Sequence, residues 1–298
     1  MSGKGNPFKT LRRGAVGMDY GFDTWIYSIL DAEKALGRLR GKGVGFVELS
    51  YEHLSKFFKD EAVDLKALTS IKEAADSLGV RIIQVHGPFG EIDLELASED
   101  SSQREKALRK IFNWIKYVGE LEWGVLVLHT VRIRVSEEHD FHRLVEKTRL
   151  ANARFFKEAS KHASEYGVKI AVENRLESCY GSLPRDLLEL VEEVGSESLG
   201  VCFDTGHANV NKLSMPVMVE MLREHLLATH IHDNDGHHDQ HLPPLMGGID
   251  WDGLMNAFSR SGYGKPLILE IHEYGRLDLD DNVVRATRVL MNSLLGRS

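Results

Sequence analysis

Residues 168–207, VKIAVENRLESCYGSLPRDLLELVEEVGSESLGVCFDTGH, decide the architecture. The stretch opens on the apolar run Val168-Lys-Ile-Ala-Val and closes it on Glu173. Helical spacing follows over 185–194, and a second run, Leu199-Gly-Val-Cys-Phe, closes on Asp204. Runs that are apolar almost throughout, rather than alternating, are strands covered on both faces. Strand, helix, strand in succession makes the two strands parallel neighbours. Each strand then delivers a carboxylate at its C-terminal end, the rim where barrels of parallel strands carry their chemistry.

The same pattern repeats outward in both directions. Val-Gly-Phe-Val closes on Glu48, Val-Arg-Ile-Ile-Gln-Val on His86, and Val-Leu-Val-Leu on His129. A short Ala-Thr run closes on His230, and Pro-Leu-Ile-Leu on Glu270. Seven runs in order therefore end on a side chain that can hold a metal. Apolar runs predict strands over 16–18, 44–49, 80–86, 125–129, 168–173, 199–204, 228–232 and 267–271. Helical periodicity predicts helices over 32–39, 65–78, about 108–118, 141–159, 185–194, 214–226, 251–261 and 281–295. Gly79, Gly124 and Gly167 stand where helices stop before strands. Eight such units favour closure over an open sheet. The expected fold is α/β, a single (β/α)8 TIM barrel over 1–298 with a short N-terminal arm at 1–13, in keeping with a chain of 298 residues.

Composition narrows the function. No apolar stretch approaches the ~20 residues that span a bilayer, and the first residues hold no apolar segment of the signal-peptide kind. Cys179 and Cys202 have no metal-type spacing, so a reducing cytosol and a cytoplasmic location are expected. The net charge of -8 favours a small-molecule substrate over a nucleic-acid backbone. Lys4, Lys9, Arg12 and Arg13 read as a solvated basic tail. Gly-x-Gly-x-x-Gly and P-loop patterns are absent from the sequence, so no nucleotide cradle is expected.

The candidate site gathers the strand ends. Asp204-Thr-Gly-His207 sets a carboxylate and an imidazole three residues apart where a strand turns, which suits a shared cation as well as an N-cap. His230 and His232 lie on one face of a strand. Asp239-Gln-His241 follows in a loop long enough to fold back. With Glu173 and Glu270, plus His86 and His129 on neighbouring strands, and with His232 not counted, nine candidate ligands result. Mixed imidazole and carboxylate donors fit Zn or Mn best, with Mg or Co as further options. Arg132 and Arg134 beyond the fourth strand read either as surface groups or as a phosphate contact.

These motifs resemble the xylose isomerase-like TIM-barrel superfamily. The residues that carry the resemblance are Val85-His86-Gly-Pro-Phe, Ala171-Val-Glu173-Asn, Phe203-Asp204-Thr-Gly-His207-Ala-Asn, His230-Ile-His-Asp-Asn-Asp, Asp239-Gln-His241 with Gly247-Gly-Ile-Asp-Trp251, and Leu269-Glu270. That group holds sugar and sugar-phosphate isomerases and epimerases, inosose dehydratases and isomerases, and the endonuclease IV type of apurinic-site nuclease. In the epimerases the resemblance implies that Glu173, Asp204, His230 and Glu270 hold one divalent metal. Glu173 and Glu270 would then move a proton through an enediolate, and His207 would orient a substrate oxygen. In the nuclease branch all nine positions, His86, His129, Glu173, Asp204, His207, His230, Asp239, His241 and Glu270, would hold three zinc ions. Two departures favour the isomerase branch: Gly206 stands where the nuclease motif typically has Cys, and Gln240 where it has Arg. Strand four also lacks a following His-Pro-Gly. The expectation is a metal-dependent isomerase or epimerase of a small sugar, polyol or sugar phosphate. The alternatives are a trinuclear-zinc nuclease on abasic DNA and a metal- or sugar-binding barrel without turnover.

Overall fold

The computed structural model describes residues 18–59, 62–134, 141–176 and 179–297. Eight parallel strands form one sheet: β1 Tyr20–Asp23, β2 Phe46–Leu49, β3 Arg81–His86, β4 Val125–His129, β5 Lys169–Glu173, β6 Leu199–Asp204, β7 Leu226–His230 and β8 Leu267–Leu269. Their order around the sheet is β8-β1-β2-β3-β4-β5-β6-β7. A parallel bridge between Ile231 and Leu269 closes the last seam, with Ile231 N–H donating to Ile268 O at 2.7 Å. Principal helices alternate with the strands: α1 Ala32–Gly41, α2 Leu65–Leu78, α3 Ser101–Glu120, α4 Phe141–Glu165, α5 Pro184–Val194, α6 Met215–Leu222, α7 Trp251–Ser261 and α8 Leu277–Leu294. This is the expected TIM barrel.

The first strand departs from the sequence reading. Val16 and Gly17 of the expected strand lie outside the described residues, as does the basic arm, and Met18 precedes the strand. The strand is Tyr20–Asp23, paired with β8 through Tyr20 and Leu267 and with β2 through Asp23 and Glu48. It obeys the same rule as the others, an apolar run that ends on a carboxylate. Strand seven stops at His230 rather than at residue 232, and strand eight stops at Leu269, one residue before Glu270. A short helix, Thr205–Val210, was not expected; Asp204 caps it by accepting from His207 N–H.

Side-chain alternation explains why the strand ends converge. In a strand, residues two apart share a face. Val125, Val127, Ala171, Cys202 and Ala228 form a small inner cluster within the barrel. Two positions beyond its last members, along the same faces, come His129, Glu173, Asp204 and His230. Residues of the opposite face, such as Leu126, Ile170, Val172, Val201 and Phe203, join the larger core beneath the helices. The inner row therefore changes from apolar to ionisable where each strand ends. Gly79, at φ 63°, ends α2 in the left-handed conformation that lets β3 start at once. No helix among the described residues is long and apolar enough to cross a membrane.

Candidate functional site

The C-terminal rim brings all nine expected residues into one cluster. His129 and Glu173 are register partners, as are Asp204 and His230. Around Glu173, Oε2 lies 3.1 Å from His129 Nε2 and 3.5 Å from His86 Nε2. Its Oε1 lies 3.2 Å from His230 Nδ1 and 3.3 Å from His207 Nδ1. His230 Nδ1 is also 3.5 Å from Glu270 Oε2 and 3.9 Å from Asp204 Oδ2. His207 Nε2 and His241 Nε2 approach Asp239 Oδ2 at 3.3 and 2.9 Å.

The outer nitrogens fix which atoms face inward. His86 Nδ1 is 2.9 Å from Gly87 O, His207 Nδ1 2.8 Å from Asn174 O, and His241 Nδ1 3.1 Å from Glu270 O. A carbonyl only accepts, so each of these nitrogens carries a proton and donates it. His230 Nε2 likewise donates to Glu48 Oε2 at 2.9 Å. Each ring is thus held from outside, leaving its other nitrogen aimed at carboxylates, the arrangement that orients metal-binding imidazoles. His230 Nδ1 is buried and makes no hydrogen bond of its own despite three carboxylates around it. Ion–ligand bonds of about 2.0–2.2 Å separate neighbouring donors by roughly 3–3.6 Å. Glu173 and Glu270 stand at such distances from His230 Nδ1 and Asp204 a little beyond them, so these four residues could share one divalent cation.

A further donor set, His86, His129 and Glu173, is equally compact. His232, His241 and Glu270 also come together, but the His232 and His241 rings stack at 3.9 Å with an interplanar angle of 11°. Lone pairs lie in the ring plane, so two nearly parallel stacked rings do not aim at a single ion. We therefore set that grouping aside in favour of His207 and His241 meeting at Asp239.

Electrostatics follow from this crowding. Burial alone raises the Glu173 carboxyl, but the imidazoles of His230 and His129 outweigh it and hold the group well below its usual range. Burial lowers His86, yet Glu173 and Glu48 push it up to about 10. His241 is pushed up to about 9 by Glu270 and Asp239 against its own burial. Asp23, at the end of β1, is raised well above the ordinary carboxyl range by burial and by the charges of Glu48 and Glu270.

Several contributors lay beyond the sequence reading. Glu48, one of the seven metal-type strand ends but not among the nine candidate ligands, is fully buried, holds His230, and accepts from Gln84 Nε2. Asn174, next to Glu173, grips the Asp204 backbone, accepting from its N–H at 2.8 Å and donating to its carbonyl at 3.0 Å. Asp233 staples the returning loop by accepting from Asn234 N–H, Ile249 N–H and Trp251 Nε1. In that loop His241 adopts φ 46°, a left-handed conformation rare for a side chain of this size and common at functional sites. Arg175 is pinned by Asp93 at 3.2 Å and by Thr130 O at 3.1 Å. Arg134 pairs with Glu91 at the surface, as the simpler reading of it expected, whereas Arg132 lines a small cavity beside His129 and His207. His237 and His238 lie exposed, and His272 packs against Trp25 and Tyr274 while its backbone N–H donates to His241 O at 3.0 Å. His139 lies outside the described residues.

A cavity of about 200 Å³ opens over the cluster, with Glu173, Glu270, His207 and His86 in its wall. It is smaller than the ~300–1,000 Å³ typical of drug-sized ligands. A cavity of about 570 Å³ lies at the opposite end of the barrel among Phe46, Trp123 and Lys265, and none of the nine residues lines it. Chemistry rather than size identifies the site.

An uncharacterized protein of Methanocaldococcus jannaschii is 29% identical over 209 residues, 69% of each chain. A ketose 3-epimerase of Arthrobacter globiformis is 30% identical over 110 residues, 36% of each chain. Among solved structures, a D-tagatose 3-epimerase-like protein superposes with a TM-score of 0.77 at 24% identity, covering 94% of this chain and 97% of the other. That structural likeness shows a shared fold. The family described as xylose isomerase-like TIM barrel matches residues 37–292, and this chain belongs to it.

Proposed function

We propose that the protein is a divalent-metal-dependent isomerase or epimerase of a small sugar or sugar derivative. The observation that carries the reading is the placement of Glu173 and Glu270 in the wall of one small cavity, both within 3.5 Å of the inward nitrogen of His230. A cation held by Glu173, Asp204, His230 and Glu270 would supply Lewis-acid stabilisation of charge developing on a carbonyl oxygen. Zinc and manganese suit this donor set best. Glu173, kept ionised by its imidazole neighbours, takes a proton from the carbon beside the carbonyl. Glu270, just beyond the end of another strand and in the same wall, returns one, so the enediolate collapses with its configuration or carbonyl position changed. His207 lines the cavity and orients a substrate oxygen. The names of the ketose 3-epimerase and the D-tagatose 3-epimerase-like protein support a sugar substrate.

The test is turnover of a panel of ketoses, aldoses and their phosphates, lost on chelation and restored by manganese or zinc. Failure on every sugar with metal bound would overturn the reading. A second reading has its own observation: His86 and His129 meet at Glu173, and His207 and His241 meet at Asp239, so all nine residues converge. That reading, a trinuclear-zinc phosphodiesterase on abasic DNA, requires about three zinc ions per chain and cleavage of a duplex with one abasic site.

A further inference from the structure

We propose that His232 is a positioning residue for the metal site, made possible by the glycine at 206. The inference rests on the reading of Asp204 as a metal ligand and adds a residue outside the nine. His232 is fully buried. Its Nε2 lies 3.0 Å from Asp204 Oδ2, the oxygen that also faces His230. The other oxygen, Oδ1, accepts from His207 N–H at 2.6 Å. Asp204 is thus held at both oxygens, by a backbone N–H on one side and an imidazole N–H on the other, which leaves one direction open on Oδ2.

His232 is held at its backbone and packed at its ring. Thr205 Oγ1 accepts from the His232 N–H at 3.0 Å and donates to its carbonyl at 2.7 Å. One face stacks on His241 at 3.9 Å. Nδ1 points towards Asp239 Oδ1 at 3.8 Å, so the ring links the Asp204 turn to the loop that carries Asp239 and His241. The remaining side is Gly206. A Cβ there would stand 1.9 Å from His232 Cε1 and 2.4 Å from Nδ1, closer than any real contact. A buried, packed ring cannot yield by that much. Any side chain at 206 therefore evicts the ring, and the two positions act as one device. Gly206 has negative φ, so its identity is dictated by space and not by backbone conformation.

Loss of an outer partner of a metal ligand typically lowers metal affinity 10–100-fold. His232→Leu removes the donor to Asp204. His232→Gln places an amide N–H near the Nε2 position, whereas His232→Asn is too short to reach. Manganese alone is the probe, with free ion counted by electron paramagnetic resonance. Expected are a 10–100-fold weaker affinity in His232→Leu and His232→Asn, and near wild-type affinity in His232→Gln. Gly206→Ala should weaken binding similarly, and Gly206→Ala combined with His232→Leu should be no worse than either alone. Should His232→Leu not fold, the contrast between Gln and Asn at 232 decides the matter alone, because both keep a polar group. Equal affinity in wild type and the folded His232 variants overturns the inference while leaving the metal site standing. Wild-type protein that binds no manganese or zinc overturns the functional reading, and the inference with it.

Discussion

Replacing Glu48 with Gln tests whether the outer carboxylate matters to the site. Gln has the same shape, so packing is preserved and charge and hydrogen-bond polarity change. Glu48 Oε2 accepts from His230 Nε2 at 2.9 Å and from Gln84 Nε2, while Oε1 stands 3.2 Å from the same His230 nitrogen. Gln84 cannot turn its amide round, because its Nε2 also donates to Thr229 O at 3.3 Å. The new carbonyl must therefore occupy the Oε2 position, and the new NH2 faces the His230 N–H. One buried donor is left mismatched, at a cost of about 1–3 kcal/mol. Losing the carboxylate partner also weakens the hold on His230, with an expected 10–100-fold drop in metal affinity. Urea unfolding and competition against a chromophoric chelator read the two effects separately. Unchanged stability together with unchanged affinity would refute the reasoning, since Glu48 would then be a buried charge without a task.

Three further outcomes follow from the same geometry. Glu173→Gln should lower kcat by about 10²–10⁴ on a sugar substrate, as loss of a general acid–base group does; a fully active, metal-loaded variant would remove Glu173 from the mechanism. In chelated protein the neighbouring carboxylates push His86 up to about 10 and His241 up to about 9. Both are raised above the unfolded value of 6.5, so their contribution to stability is complete below that pH and is lost as pH rises through 9 and then 10. Metal binding displaces those protons, so affinity should rise over the same range, as calorimetry in buffers of differing ionisation enthalpy would show. His53, buried and held by Ser50 and Thr24, is pushed down by burial from 6.5 to about 4. The unfolded chain binds the extra proton, so stability falls as pH drops from 6.5 to 4, by roughly 3 kcal/mol if the full shift applies. His53→Asn should flatten that part of the pH–stability curve, and an unchanged slope would contradict it.

The legible part of this molecule is the part in which one residue row serves two purposes. In β4, β5 and β6 the apolar run marks the strand, and its last inward residue, His129, Glu173 or Asp204, marks the rim. Tyr20-Gly-Phe-Asp23 follows the same rule but is only four residues long, and the apolar residues just before it drew the assignment away. His232 shares a strand face with His230, so its orientation was readable. Its contact with Asp204 was not, because that depends on the empty volume at Gly206, which only the assembled rim reveals. Glu48 was visible as a strand end, but its partner lies 182 residues away. Asp204 illustrates why opposing readings of one residue need not compete: it is both the cap of a short helix through Oδ1 and a member of the metal-type cluster through Oδ2.

The most direct test of the proposed chemistry is hydrogen exchange in deuterium oxide. The manganese- or zinc-loaded protein is incubated with a panel of ketoses and ketose phosphates, and products are followed by nuclear magnetic resonance. The account predicts deuterium at the carbon next to the carbonyl in at least one sugar, abolished by chelation and by Glu173→Gln. Metal-loaded protein that leaves every sugar unlabelled while nicking an abasic duplex would contradict it.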